Sequence, residues 1–133
     1  MKRKWSKQWI RSRRPGKQRK YVYNAPLHVR QKLLGTHLSP ELRKKYALRT
    51  VEVRKGDTVK VIRGQYKKKS GKVNKVNHRR LVVYIEGIDR TRKDGTKAFI
   101  PLRPSNLIVT ELDLTDKKRK AKIERNLKEA KHG

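Results

Sequence analysis

The 133-residue chain contains no cysteine. Disulfides and thiolate metal ligands are therefore excluded, and the absence fits a cytoplasmic setting. Acids are scarce as well. Asp and Glu together number 11 against 40 Lys and Arg, a formal net charge of +29. Like charges at that density repel and oppose compaction, so the imbalance implies a polyanionic partner. Nucleic acid is the leading class and an anionic membrane surface the second. Apolar residues are thin: the hydrophobic set is 33% and the aromatics 6%, too little for a core spread over the whole chain. No apolar run approaches the ~20 residues of a membrane span. The basic first residues lack the apolar stretch of a signal peptide and the apolar face of a transit peptide.

The apparatus of catalysis is missing too. His28, His37, His78 and His132 show no metal-ligand spacing. Neither a nucleophile elbow nor a Walker loop is present. Asp57, Glu86 and Asp89 stand near cations in sequence and read as single exposed carboxylates. The expectation is a binding protein, not an enzyme, with no cofactor, metal or small-molecule substrate.

What is present divides into four zones. Residues 1–23 form a basic arm with ten Lys or Arg in the first twenty positions and no acid. It can build no core and is expected to be disordered on its own. Its candidate RNA-binding residues are Lys2, Arg3, Lys4, Arg11, Arg13, Arg14, Lys17, Arg19 and Lys20. Trp5 and Trp9 among them can stack on bases, or else pack on protein. Residues 24–49 read as two short helices. Asn24 can cap the first, with Pro26 early in it and Gly35 at its end. Ser39-Pro40-Glu41 starts the second, which runs to Tyr46.

Residues 50–114 change character. Short apolar segments alternate with polar ones at Thr58–Val61, Lys72–Val76, Leu81–Ile85, Lys97–Ile100 and Leu107–Thr110. Asn77-His78-Arg79-Arg80 suits a tight connection, and Asp94-Gly95 is a strong hairpin signal. Five or six short strands in this span predict a mainly β fold, a small barrel. No helix long enough for a crossover fits between them, which argues against parallel pairing. The predicted core is Val59, Val61, Val73, Val76, Val82, Tyr84, Phe99, Ile100, Leu107 and Val109. Residues 115–133 read as a basic C-terminal helix with Thr115 as cap and Ile123, Leu127 and Ala130 on one narrow apolar stripe.

The stretch from Lys55 to Val76 carries the binding chemistry. Read physically, it is a turn, a half-wet strand, a basic loop between Gly64 and Gly71, and a second strand. Each glycine can either take positive φ or let another backbone approach closely. Arg63, Lys67, Lys68, Lys69 and Lys72 supply charge for phosphates, and Tyr66 a ring that can stack on a base. Arg79 and Arg80 form a basic hairpin tip, and Arg103 beside Pro104 serves either RNA or the fold.

This stretch resembles the KOW motif. The resemblance continues through Val82-Val83-Tyr84-Ile85-Glu86-Gly87-Ile88 and Ile100-Pro101-Leu102-Arg103-Pro104-Ser105-Asn106-Leu107. There it is similar to the universal large-subunit ribosomal protein family numbered twenty-four (twenty-six in the older eukaryotic scheme). Asn24-Ala25-Pro26-Leu27-His28-Val29-Arg30 and Leu38 to Tyr46 resemble its archaeal and eukaryotic branch. The resemblance implies an SH3-like barrel of the KOW type, with short N-terminal helices, a basic arm and a C-terminal helix. It implies a structural role in the cytoplasmic ribosome: binding large-subunit rRNA near the mouth of the peptide exit tunnel, beside other ribosomal proteins, and supporting assembly. No homo-oligomer or membrane partner is expected. Many family members carry a glycine where this chain has Lys68. The competing reading is a KOW module of a transcription elongation factor, binding polymerase and RNA. Such factors usually place a larger domain before the module.

Overall fold

The structure, a computed structural model, describes residues 5–9 and 11–133. Helix α1 spans Pro15–Asn24, α2 spans Leu27–Leu33, and strand β1 spans Gly35–Leu38. Helix α3 (Pro40–Tyr46) precedes β2 (Thr50–Glu52), β3 (Thr58–Val61), β4 (Ser70–Asn77) and β5 (Val82–Ile85). A short hairpin follows, β6 (Asp89–Thr91) and β7 (Lys97–Phe99), then a single 3₁₀ turn at Pro104–Asn106. Strand β8 (Leu107–Glu111) and helix α4 (Lys117–His132) complete the chain.

Six strands form one sheet in the order β2-β1-β8-β3-β4-β5. Strand β5 would be an open edge, but Val83 exchanges both backbone hydrogen bonds with Leu102, at 2.8 and 2.9 Å. Leu102 lies just ahead of β8, so the sheet curls until its β5 side meets the segment leading into β8. A small barrel closes in this way, and closure removes the exposed edge. The core inside it is Leu34, Leu38, Val53, Val59, Val61, Val73, Val83, Ile85, Ile88, Leu107 and Val109.

Several elements follow directly from local chemistry. The Ser39 hydroxyl accepts from Leu42 N at the start of α3, with Pro40 in the first helical position. The carboxylate Oδ1 of Asp94 accepts from both the N–H and the hydroxyl of Thr96 in the β6–β7 turn, where Gly95 has φ +89°. Strand β3 has the predicted limits and an alternating burial pattern, with Val59 and Val61 inside.

Other expectations need correction. Part of the arm is ordered: α1 starts at Pro15, whose fixed φ suits a first helical turn. Asn24 ends α1 and does not cap α2, which starts after Pro26 without a side-chain cap. The stretch read as purely helical holds a strand, β1, and β2 and β6 were also unforeseen. Strand β1 pairs parallel with β8 through His37–Ile108 and Leu38–Val109. A crossover helix is needed only between parallel strands close in sequence, and β1 and β8 are far apart along the chain. Here the whole barrel serves as the connection.

On β5 the inward residues are Val83 and Ile85, fully buried, while Tyr84 is half-buried. Val82, expected in the core, is buried at 8% exposure, while Tyr84 is not, because four apolar residues in a row leave the inward face undetermined. Phe99 is 46% exposed and lies outside the core. The cap of α4 is Asp116, whose carboxylate accepts from Lys118 N, rather than Thr115.

Helix α4 is fastened by a buried ion pair. Arg119 forks onto Asp57 with both contacts at 2.6 Å, and neither residue is more than 4% exposed. Arg119 also donates to the carbonyls of Asp113 and Glu52. Asp57 further accepts from the backbone N–H of Arg54 and of Asp113, each at 2.9 Å. The carboxylate thus has four partners, as a buried charge requires. Asp57 is no exposed carboxylate. It is the junction between the turn before β3, the exit of β8 and α4. Ile123, one turn further on, is buried at 4% exposure.

Candidate nucleic-acid interface

The basic loop between β3 and β4 is built by its backbone. Lys68 N donates to Val61 O at 2.9 Å and Val61 N to Lys69 O at 2.8 Å. Lys67 N donates to Gly64 O and Lys69 N to Tyr66 O. These bonds fold residues 62–69 into a compact tip. Gly64 takes φ +97° in open space, and Lys68 takes φ +74°, a left-handed conformation that favours glycine. Gly71 uses the other option: a Cβ there would lie 2.6 Å from Glu86 O and 2.9 Å from Ile85 Cγ2. Its role is close approach of β4 to the end of β5.

Side chains of Arg63, Lys67, Lys68, Lys69 and Lys72 are exposed. The Tyr66 ring is half-buried against the core, with Lys69 Nζ 5.3 Å from its centroid. It anchors the loop rather than standing free. The 3₁₀ turn braces the same end of the barrel, because Asn106 O accepts from Ile62 N at 2.9 Å. Arg103 is exposed at the start of that turn.

A second basic feature lies at the other end of β4. Asn77 Oδ1 accepts from the N–H groups of Arg79 and Arg80 at 3.1 and 3.0 Å, which leaves both side chains exposed at the hairpin tip. Leu81 follows with φ +56°. Arg30, on α2, donates to the carbonyls of Tyr23, Ala25 and Arg79. It therefore ties the end of α1 to this tip. Sequence reading passed over Arg30, since its partners are carbonyls that no side-chain pattern announces.

The arm approaches from that side. Trp9 stacks on Tyr21 with centroids 4.1 Å apart and planes at 17°, and Trp5 lies 5.2 Å from the same ring. The two tryptophans thus pack on the protein's own arm. Arg11, Arg13, Arg14, Lys17, Arg19 and Lys20 are exposed. Lys2, Arg3 and Lys4 lie outside the described residues.

The structure therefore separates the candidate residues into two groups. Strand β4 has eight residues, so its ends are roughly 25 Å apart. The loop holding Lys67 to Lys69 sits at one end, and Arg103 lies between the ends, one residue after Leu102, whose partner Val83 pairs with Val76. Arg79, Arg80 and the arm sit at the other. No small ligand could touch both groups, whereas a phosphate backbone of several nucleotides could. Charges on α4 add to this surface, with Lys117, Lys118, Lys120, Arg125 and Lys128 exposed or half-exposed. Local electrostatics are consistent. The Asp116 carboxyl is held below its ordinary value by its hydrogen bond from Arg54 and by Lys118 N. Asp113 is lowered mainly by the backbone and hydroxyl of Thr115. Asp113 and Asp116, beside the buried Asp57–Arg119 pair, thus stay ionised and locally matched, leaving the net positive charge elsewhere unopposed.

Fold and surface together define a small β-barrel protein with cationic extensions suited to an extended polyanion. The model of the family described as the eukaryotic ribosomal proteins L26 and their archaeal counterparts matches residues 12–126. The chain is also 44% identical over 116 residues to the large ribosomal subunit protein uL24 of Korarchaeum cryptofilum (strain OPF8), covering 87% of this chain and 88% of that one. The chain belongs to this ribosomal protein family. It is a structural constituent of the ribosome and not an enzyme. The matched region extends from the arm into α4, well beyond a KOW unit of the kind shared with elongation factors, and the elongation-factor alternative finds no support.

Proposed function

We propose that this chain is a component of the large ribosomal subunit that holds segments of its rRNA together near the mouth of the peptide exit tunnel and supports subunit assembly. The observation that carries the reading is the placement of exposed cations at both ends of β4, roughly 25 Å apart, on a barrel closed between them. A rigid spacer with a cationic group at each end can neutralise two RNA segments at once. Lysines act there as point charges, and arginines can also fork onto phosphates or stack on bases. RNA shape and unpaired bases would supply the specificity. Neighbouring ribosomal proteins complete the environment, and the chain acts as a single copy.

The test is fractionation of native lysate on a sucrose gradient before and after a high-salt wash. Stoichiometric sedimentation with the large subunit through the wash is the expected result. Sedimentation away from the subunits would refute the proposal.

A further inference from the structure

One cleft belongs to neither cationic group. It has a volume of about 880 Å³ and opens between the barrel, α2 and the β6–β7 hairpin. That hairpin forms its own two-stranded sheet, not hydrogen-bonded to the strands of the barrel sheet. The cleft floor includes Leu34 and Val53, both buried. Tyr84 of β5 and Phe99 of β7, both aromatic, are among its lining residues. Phe99, 46% exposed, leaves part of its apolar surface open on the cleft side.

The charges around the cleft are unbalanced. Of the cations lining it, Arg54 is paired with Asp116, and Lys97 lies 3.9 Å from Asp89. Lys55, Lys75 and Arg92 form no ion pair among the described residues. The acid in the lining, Glu52, faces Lys122 at 3.8 Å. His78 also lines the cleft, and its Nδ1 is buried without a hydrogen-bond partner among the described residues. An unsatisfied polar atom is costly, and a ligand with a donor or acceptor edge would relieve that cost.

We propose that this cleft seats an unpaired RNA base, stacked against Phe99 and Tyr84, with the flanking phosphates on Lys55, Lys75 and Arg92. The inference rests on the RNA-binding reading above and deepens it. The volume lies in the range of small-ligand sites, ~300–1,000 Å³, which suits one or two nucleotides and no duplex. Apolar floor, aromatic wall and uncompensated cationic rim are the combination that recognises single-stranded nucleic acid. An acidic peptide could satisfy the rim, but only one that also carried an aromatic side chain would meet the wall, whereas every nucleotide brings both a phosphate and a ring.

The full chain would be titrated with two single-stranded RNAs of equal length and charge, one bearing all its bases and one abasic at its central positions. The base-bearing strand is expected to bind more tightly. Phe99→Ala should weaken that strand roughly 5- to 150-fold, the loss expected for one base–aromatic stack, and leave the abasic strand unchanged. Phe99 is exposed, so the variant's melting temperature should match the parent's. Equal affinity for the two strands, or no response to Phe99→Ala, would overturn the base seat while leaving RNA binding intact. Failure of the parent protein to bind either strand would instead remove the RNA reading itself. In assembled subunits, a photo-crosslinking residue at position 99 should form adducts with RNA. Adducts with a neighbouring protein alone would overturn the proposal.

Discussion

Lys68 sits at φ +74°, in a region that costs a non-glycine residue roughly 1–2 kcal/mol. Glycine there would remove that strain but would lose about 0.5–1 kcal/mol to chain entropy. Lys68→Gly is therefore expected to stabilise by about 0–1.5 kcal/mol, the difference of the two terms. Lys68→Val, with a β-branched side chain in the same conformation, should destabilise by about 1–3 kcal/mol. Paired thermal melts would show this, and a tolerated valine would mean the loop turns differently. Asp57 makes a sharper case. Arg119→Ala strips the carboxylate of its guanidinium but leaves two backbone donors in place. Asp57→Ala orphans those donors and leaves the buried guanidinium without a counter-charge, held only by the carbonyls of Asp113 and Glu52. Each change should cost about 3–5 kcal/mol as a broken buried pair, with Asp57→Ala the more severe. Urea unfolding of both variants would reveal the order, and the reverse ranking would discredit the buried pair. Val61→Ala, at a site 1% exposed, should cost about 1–3 kcal/mol. Val61 was legible in advance because its alternation with Lys60 is local, and Lys68 from the resemblance, but the ion pair was not. The partners Asp57 and Arg119 are 62 positions apart. Among so many cations nothing in the sequence marks one arginine as buried.

Elements were readable where a local signal was unambiguous. Thr58–Val61 alternates cleanly, Asp94-Gly95 demands a turn, and Ser39-Pro40-Glu41 begins a helix, and the structure has all three. Strand β1 was missed because Gly35-Thr36-His37-Leu38 is short and carries no long alternation. It becomes a strand by pairing on both sides, with β2 and β8. Of the interface, the loop residues were legible from charge and from the KOW resemblance. The cleft beside Phe99 was not, since that ring read as core. The start of α4 yields a pH prediction. The folded carboxyl of Asp116 titrates below its ordinary value of 3.8, through Arg54 first and Lys118 N second. A lowered folded value means the contribution is present above the unfolded value and fades as pH falls through the folded one. Helical content should therefore decline at pH below 3.8. Asp116→Asn, which can still cap but does not titrate there, should show a weaker decline by circular dichroism. An identical decline in both would assign the loss to other groups.

For the whole molecule the governing quantity is the charge of +29. If about five phosphates are neutralised, log K for RNA should fall against log salt with a slope of roughly -3.5 to -4.5. Removing residues 1–14 should flatten that slope, while the melting temperature stays close to that of the full chain, because Trp5 and Trp9 pack on Tyr21 of the arm and the core cluster begins at Leu34. Salt titrations and melts of both forms would establish this. A large drop in melting temperature would mean the arm braces the barrel.

Strand β8 lies between β1 and β3 in the sheet. One partner was synthesised some seventy residues earlier, and the other about fifty. Until the segment from Leu107 to Glu111 has been made, neither Leu38 nor Val61 has its final neighbour. Contacts this distant along the chain are slow to form, because loop closure precedes any gain from packing. The barrel therefore folds late, after most of its cationic surface has already emerged. A polyanion that gathers those charges would bring β1 and β8 together sooner, so RNA can act as a template for folding as well as a ligand of the finished protein.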